Sequence, residues 1–365
     1  MNFQNQNQTA QNFASQTGQS VEQAVISLVG EQAFQRAIDA SLVEDNPSRI
    51  VLVGGGGGSA TVARALYSIG QRQFAMLAPT GKSLRYRRWP SPVEAEENDD
   101  DFTYWTDIVR MCLHGVPVES RNRLHALLDK RCKNRVFNGS FLLQELLRLG
   151  SRQAIAVLNR LLGNEYEVAL TTEEKTHLRY VVGDQVFTFQ QYIARIMMRG
   201  ESTNTDHVFL SPEVSLSERA RFLLEQARTV VIGPGDLTLT TQFHFLVNGF
   251  REALARNRDK DIAIIVNLSA RDIDIPGYTV KRFLDHISHW LPGQRAWAII
   301  NTEPFVGCLP NDLLGQQDYG QFRLVSAPLL GTGYTDDQQP KHDSVTLGHF
   351  LNTLFFTNSL TFYSE

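Results

Sequence analysis

Five consecutive glycines, Gly54 to Gly58, lie between the apolar run Ile50 to Val53 and the stretch SATVARALYSIG. The run reads as a buried strand and the stretch as a helix opening near Ser59, so the segment begins a strand–loop–helix unit. An uninterrupted glycine run costs conformational entropy that side chains would spare. It bares successive backbone N–H groups beside a helix N-terminus, an arrangement suited to a phosphate. A tight turn is the alternative reading. The spacing fits neither GxGxxG with a ribose acid nor a Walker loop, since the triplet Gly81-Lys82-Ser83 lacks the upstream glycine of the latter.

A second loop of this kind, Gly233 to Asp236, follows the apolar run TVVI, with Thr238, Thr240 and Thr241 clustered beyond it. Pro234 stiffens the turn, and the hydroxyls either cap the next helix or face a ligand. Ligands of open α/β sheets sit beyond the carboxyl ends of the strands, so both loops line one crevice if their strands are near neighbours. Further apolar runs at Phe74 to Leu77, in DIAIIVNLSA and in AWAIIN supply more strands, while residues 102–160 and 180–198 carry helical periodicity. The predicted fold is therefore α/β, a doubly wound, mainly parallel sheet with a helical insertion at about 102–160. Residues 1–19, rich in Gln and Asn, read as a disordered tail. Residues 20–47 read as an N-terminal helical segment with one or two amphipathic helices from Val21 to Leu42, and 48–365 as the main ligand-binding domain.

Lys and Arg total 35 against 39 Asp and Glu, a formal net charge of −4, so no global positive field draws the chain to nucleic acid or anionic membrane. Cys112, Cys132 and Cys308 are far apart and show neither CxxC nor Cys/His spacing, which suggests no disulfide framework and no zinc site. No stretch has the length of a membrane span, and the first residues lack a signal-peptide pattern. These features predict a soluble protein of the reducing cytoplasm.

The motifs VLVGGGGGSATVARAL, VVIGPGDLTLTTQFHFLVNGFREAL, IIVNL, IPGYTVKRFLDHI and KHDSVTLGHFLNTLF, in this order over about residues 48–356, resemble the 2-phospho-L-lactate transferase-like family, whose bacterial gluconeogenesis factors form one branch. The resemblance implies a Rossmann-like sheet holding a phosphorylated nucleotide ligand. In the gluconeogenesis-factor branch this is a UDP-sugar. In the transferase branch it is a guanylylated lactate-type donor, with a deazaflavin-type acceptor. The family's acidic DDGGSSG loop aligns with APTGKSLRYRR, which replaces both carboxylates at about Ala78 and Pro79. Lys82, Arg85, Arg87 and Arg88 then stand near the mouth of the cleft, where cations neutralise phosphate directly. A solvated basic loop balanced by the acidic run Glu94 to Asp101 explains them as well.

The candidate ligand contacts are Gly54, Gly55, Gly56, Gly57, Gly58 and Ser59 in the first loop, and Gly233, Pro234, Gly235, Asp236 and Thr238 in the second. Lys82, Asn138 and Asn267 complete the set. Either asparagine suits a base or sugar edge, or a helix or turn cap. No metal ligand set is expected and no cofactor is assigned, with Asp236 the residue to take Mg²⁺ if the ion is used. Catalytic residues stay unassigned: His342 fits a general base or a structural role beside a helix start, Asp343 fits an N-cap, and His244 is open. The expected function is binding of a UDP-sugar-like ligand with a regulatory role. The alternative is transfer of a phospho-lactyl-like group, which the lost acidic pair disfavours. A homodimer is compatible with either. Three expectations follow: the two loops face one crevice, an Asp at Gly56 or Gly57 removes binding while sparing the fold, and binding persists in EDTA.

Overall fold

A computed structural model of the chain describes residues 20–40, 48–79, 102–130, 138–188, 208–256, 259–269, 278–291, 293–334 and 340–355. Its centre is an eight-stranded sheet built on the apolar runs of the sequence. Strand β1 (Ile50–Val53) pairs in parallel with β2 (Ala75–Ala78) on one side and directly with β7 (Thr229–Ile232) on the other. Beyond β2 lies β3 (Glu167–Leu170), and beyond β7 come β8 (Asp261–Ile265), β9 (Ala296–Asn301) and β11 (Phe322–Ala327), all parallel. The short edge strand β10 (Asp318–Tyr319) runs antiparallel to β11. The α/β, mainly parallel sheet expected from the sequence is the observed architecture.

Strands buried on both faces read as continuous apolar runs, and the period of two sends alternate residues to opposite sides. Ile50 and Leu52 enter one core, Val51 and Val53 the other. The first core packs against α3 (Gly56–Ser68), α4 (Phe102–His114), α6 (Asn138–Leu146), α7 (Ser151–Leu162) and α12 (Ser344–Phe355). The N-terminal hairpin α1 (Val21–Val29) and α2 (Glu31–Ala40) adds Val21, Val25, Phe34 and Ala37 to it. The opposite core packs against α8 (Glu218–Gln226), α9 (Gln242–Leu246), α10 (Phe250–Ala255) and α11 (Val280–Ser288). The helical stretch expected at 102–160 is present as α4, α5 (Arg123–Asp129), α6 and α7. Among the described residues no helix is long and apolar enough to cross a membrane.

One expectation is corrected. Residues 180–188, read as helical, lie in an antiparallel sheet of β4 (His177–Val182), β5 (Gln185–Thr188) and β6 (Val208–Ser211). Leu178 and Tyr180 alternate inward, and Gly183, with φ of 60°, makes the turn between β4 and β5. The alternation was too short to outweigh the helical spacing of the residues after it, and 189–198 lie outside the described residues. A second small pair, β12 (Leu330–Tyr334) with β13 (Pro340–His342), leads into α12.

The strand order places the switch of direction between β1 and β7. From β1 the chain steps through β2 to β3 on one side, and from β7 through β8 and β9 to β11 on the other. Connections diverge there, the position at which open sheets of this kind hold ligands, beyond the carboxyl ends of two adjacent strands. Both glycine loops leave those ends, as the first sequence expectation required.

Candidate functional site

The two glycine loops are packed against each other as well as beside each other. Gly233 N–H donates to Val53 O at 2.9 Å, which ties the second loop to the end of β1. A Cβ on Gly58 would lie 1.8 Å from Pro234 O, and one on Gly55 would lie 2.6 Å from Thr240 Cγ2. A Cβ on Gly54 would lie 2.9 Å from Ser59 Oγ, and one on Gly235 would lie 2.7 Å from Thr240 Oγ1. Much of the glycine content is therefore demanded by loop-on-loop packing, since backbone oxygen and a wedged threonine leave no room for a methyl group.

Gly56 and Gly57 behave differently. Gly56 has φ of 50°, and a Cβ there would lie 2.6 Å from Oδ1 of Asp107, a buried residue of α4. Gly57 is exposed, its φ is not positive, and a Cβ on it would meet nothing within 4 Å. The expectation that Asp at Gly56 would spare the fold is thus corrected: it would force a strained backbone and set one carboxylate against another. At Gly57 the expectation stands on open space.

Ser59 lies one turn into α3, is 1% exposed, and its hydroxyl has no hydrogen-bond partner. Thr61 donates to Gly57 O at 3.0 Å and in turn accepts from Arg64 at 2.9 Å. Arg64 also donates to His114 O at 2.7 Å, joining α3 to the end of α4. Burial lowers its guanidinium pKa to about 10, with Arg121 nearby acting in the same direction.

The second loop is held by its own chain. Asp236 O accepts from Thr240 N at 3.0 Å, from Thr241 N at 3.1 Å and from the Thr240 hydroxyl at 2.7 Å, closing a wide helical turn over Leu237–Thr241. Asn267, just past β8, clamps the loop from the other side. Its Oδ1 accepts from Gly235 N at 3.2 Å and its Nδ2 donates to Gly235 O at 2.7 Å. Of its two sequence readings, the structure displays the turn cap. The carboxylate of Asp236 is partly exposed beside this turn.

Asn138 opens α6 and spends its amide on Leu127 O at 2.9 Å, closing the connection from α5. Lys82, Arg85, Arg87 and Arg88 lie outside the described residues, as does the side chain of Thr238.

Two buried histidines brace strand ends around the crevice. His244 Nε2 is 3.1 Å from Gly54 O, and its Nδ1 is 2.6 Å from Thr171 Oγ1, just after β3. Gly54 O can only accept, so Nε2 carries the proton and Nδ1 accepts from the threonine hydroxyl. Thr171 N–H meanwhile donates to Ala78 O at 3.1 Å, so one network pins the ends of β1, β2 and β3. His342 Nε2 donates to Val266 O at 3.3 Å, just past β8. Burial lowers both histidine pKa values to about 4, against a smaller opposing effect of the backbone bonds. His342 is thus neutral and engaged, which favours its structural reading over the general base. Asp343 accepts from Thr346 N at 2.7 Å, the N-cap expected of it.

Sequence reasoning missed Asp107 and Thr171. Asp107 stands four residues before Met111, on a helical stripe whose apolar members are buried. An acid on such a stripe is the signal that could have found it. Among the described residues no group of three or more His, Cys, Asp or Glu is placed to hold a metal ion. A cation would need Asp107 or Asp236 together with oxygens of the ligand itself.

Comparison with known proteins bears on the family and the fold. Residues 99–308 match the family model described as 2-phospho-L-lactate transferase CofD. A Thermotoga maritima protein, provisionally assigned as a gluconeogenesis factor, is 22% identical over 265 residues, covering 70% of this chain and 79% of that one. Two crystal structures of a Bacillus halodurans member of the UPF0052 family share the fold. Their TM-scores are 0.66 and 0.64 at 17% and 16% identity, over 84% of this chain and 99% of theirs.

Proposed function

Because the chain belongs to the 2-phospho-L-lactate transferase CofD family, we propose that its crevice binds a phosphorylated, nucleotide-derived donor and transfers a phospho-lactyl-like group to a deazaflavin-type acceptor. In such a transfer an acceptor hydroxyl attacks the lactyl-bearing phosphorus. The bridging P–O bond of the donor diphosphate breaks, and nucleoside monophosphate leaves. Catalysis of this kind is mostly positioning and charge stabilisation, so the protein needs N–H donors and a place for cations more than a nucleophile of its own.

The observation that carries this reading over simple binding is Asp107. The linear alignment removes the family's acidic pair after β2, yet the fold returns a buried carboxylate to the first glycine loop from α4. Asp107 or Asp236 would hold Mg²⁺ together with the donor's phosphate oxygens, and the ion would supply Lewis-acid neutralisation of phosphate charge. Metal-independent binding, the expectation from the sequence, is the contrary outcome of the same test. Asn267 and the braced loops would serve by fixing the second loop.

A second reading follows what the sequence resemblance implies for gluconeogenesis factors, the name the Thermotoga relative carries: binding of a UDP-sugar-like ligand with a regulatory role, which requires the crevice but no turnover. A single assay separates the two. The protein is mixed with a guanosine diphospho-lactate-type donor and a deazaflavin acceptor, and nucleoside monophosphate release is followed. Turnover should depend on Mg²⁺, stop in EDTA, and fall about a hundredfold in Asp107→Asn, the scale of one lost transition-state contact. Release unchanged in EDTA and in Asp107→Asn would refute the metal-assisted transfer. Tight UDP-sugar binding without any release would favour the regulatory reading.

A further inference from the structure

We propose that Arg64, Arg121 and His125 form a second anion site, apart from the crevice, that takes a phosphate-class oxyanion. The three come from separate parts of the chain and gather around the end of α4. Arg64, on α3, donates to His114 O at 2.7 Å, and the His114 ring pairs with Asp129 at 2.8 Å. His125 lies one turn before Asp129, on the same face of α5. Arg121 immediately precedes Asn122, the N-cap of that helix, and its charge acts on both Arg64 and His125. Arg64 stands seven residues beyond Gly57, about 10 Å along α3, so this cluster is not the glycine loop. Thr61 joins the two, accepting from Arg64 at 2.9 Å and donating to Gly57 O at 3.0 Å.

The cluster has donors and positive charge without acceptors to match. Nε of Arg121 is buried with no hydrogen-bond partner, and among the described residues no carboxylate pairs with its guanidinium. Nε2 of His125, a residue 2% exposed, is also buried with no partner. Asn122 N–H donates to His125 Nδ1 at 3.3 Å. Asn122 Oδ1, 3.1 Å from the same nitrogen, already accepts from the N–H groups of Leu124 and His125. Nδ1 is therefore the acceptor and Nε2 carries the proton. Arg64 gives its amino groups to neutral oxygens, His114 O and Thr61 Oγ1, so its charge is not offset. Asp129, the carboxylate that acts on His125, is engaged by His114 and partly exposed. Burial lowers the His125 pKa to about 4 and that of Arg64 to about 10, and Arg121 pushes both the same way. Unpaired buried donors and adjoining cations carry a free-energy cost that a bound oxyanion relieves. Donors from three parts of the chain suit a tetrahedral phosphate better than a planar carboxylate with two oxygens.

The test uses the full chain and calorimetry with inorganic phosphate at constant ionic strength, with glycerol phosphate and acetate as further probes. Phosphate should bind the parent, and Arg121→Gln should weaken it by about tenfold or more, the scale of one charge-assisted hydrogen bond. Without phosphate the same variant should melt no lower than the parent, because it removes an unpaired cation. Gly57→Asp, which sets a carboxylate against the first loop, should keep this binding. The His125 ring resonances, identified by their absence in His125→Gln, should move on adding phosphate to the parent. Glycerol phosphate bound as tightly as the free ion assigns the site to phosphate esters, and weaker binding assigns it to the ion itself. Acetate bound as well as phosphate would overturn the phosphate assignment. Phosphate binding lost in Gly57→Asp but kept in Arg121→Gln would place the anion in the crevice and overturn the inference, as would its absence in the parent. A lower melting temperature of Arg121→Gln without phosphate would contradict the unpaired cation on which the site stands. None of these outcomes depends on the crevice ligand, whose failure to bind would show separately with GDP.

Discussion

Gly58→Ala should lower the stability of the chain by about 3 kcal/mol and abolish nucleotide binding with it, the upper part of the usual range for overpacking. The methyl group would be placed 1.8 Å from Pro234 O, a backbone atom that no rotamer change can move. Relief requires the two loops to separate. That would pull Gly233 N from Val53 O and loosen the Asn267 clamp on Gly235. Urea unfolding followed by circular dichroism measures the effect as a lower midpoint. An unchanged midpoint would show that the loops do not pack as described. Gly57→Ala, one residue away, is the natural control, because no packed atom opposes it.

His244→Leu should show the other large effect, a loss of about 2 kcal/mol at neutral pH. Thr171 retains Ala78 O, 3.1 Å from its hydroxyl, as a fallback acceptor. Gly54 O has no such recourse and is left buried without its donor, which costs about 1–3 kcal/mol. His244→Gln, which keeps an N–H near the Nε2 position, should recover part of the loss. The pH dependence distinguishes the histidine from any bulky filler. Burial lowers its folded-state pKa to about 4, below the ordinary value of 6.5 that the unfolded chain restores. Between these values the unfolded state binds more protons, so stability is full above pH 6.5 and is lost as pH falls toward 4. Each of His244 and His342 contributes up to roughly 3 kcal/mol to that decline. The Leu variant should therefore show a shallower acid slope than the parent. Parallel slopes would mean that His244 is not held neutral.

The features legible in the sequence are those set by local pattern. Ile50 to Val53 is apolar at every position, and five glycines with a helix after them leave few alternatives to the β1–α3 unit. Asp343 was readable as an N-cap because capping is decided within four residues. What each glycine faces was not readable, because Thr240, Pro234 and Asp107 come from distant parts of the chain. The sequence therefore presents Gly56 and Gly57 as equivalents, although one is covered by a carboxylate and the other is open. Asp107 was hidden for the same reason. It sits inside a helical pattern, and only the packing of α4 against α3 brings it to the loop. The small sheet of β4, β5 and β6 was obscured by a helical spacing that continues past it, although Gly183-Asp184 marks the hairpin turn.

A nucleotide diphosphate is expected to occupy the crevice where β1 and β7 part. Hydrogen–deuterium exchange of the full chain with and without GDP and Mg²⁺ tests it most directly, because the two loops are separated by more than 170 residues in sequence and share only this crevice. Slowed exchange is expected in two segments together, about residues 54–61 and 233–242, with no change in the sheet of β4, β5 and β6. Protection confined to that small sheet, or protection of one loop without the other, would contradict it.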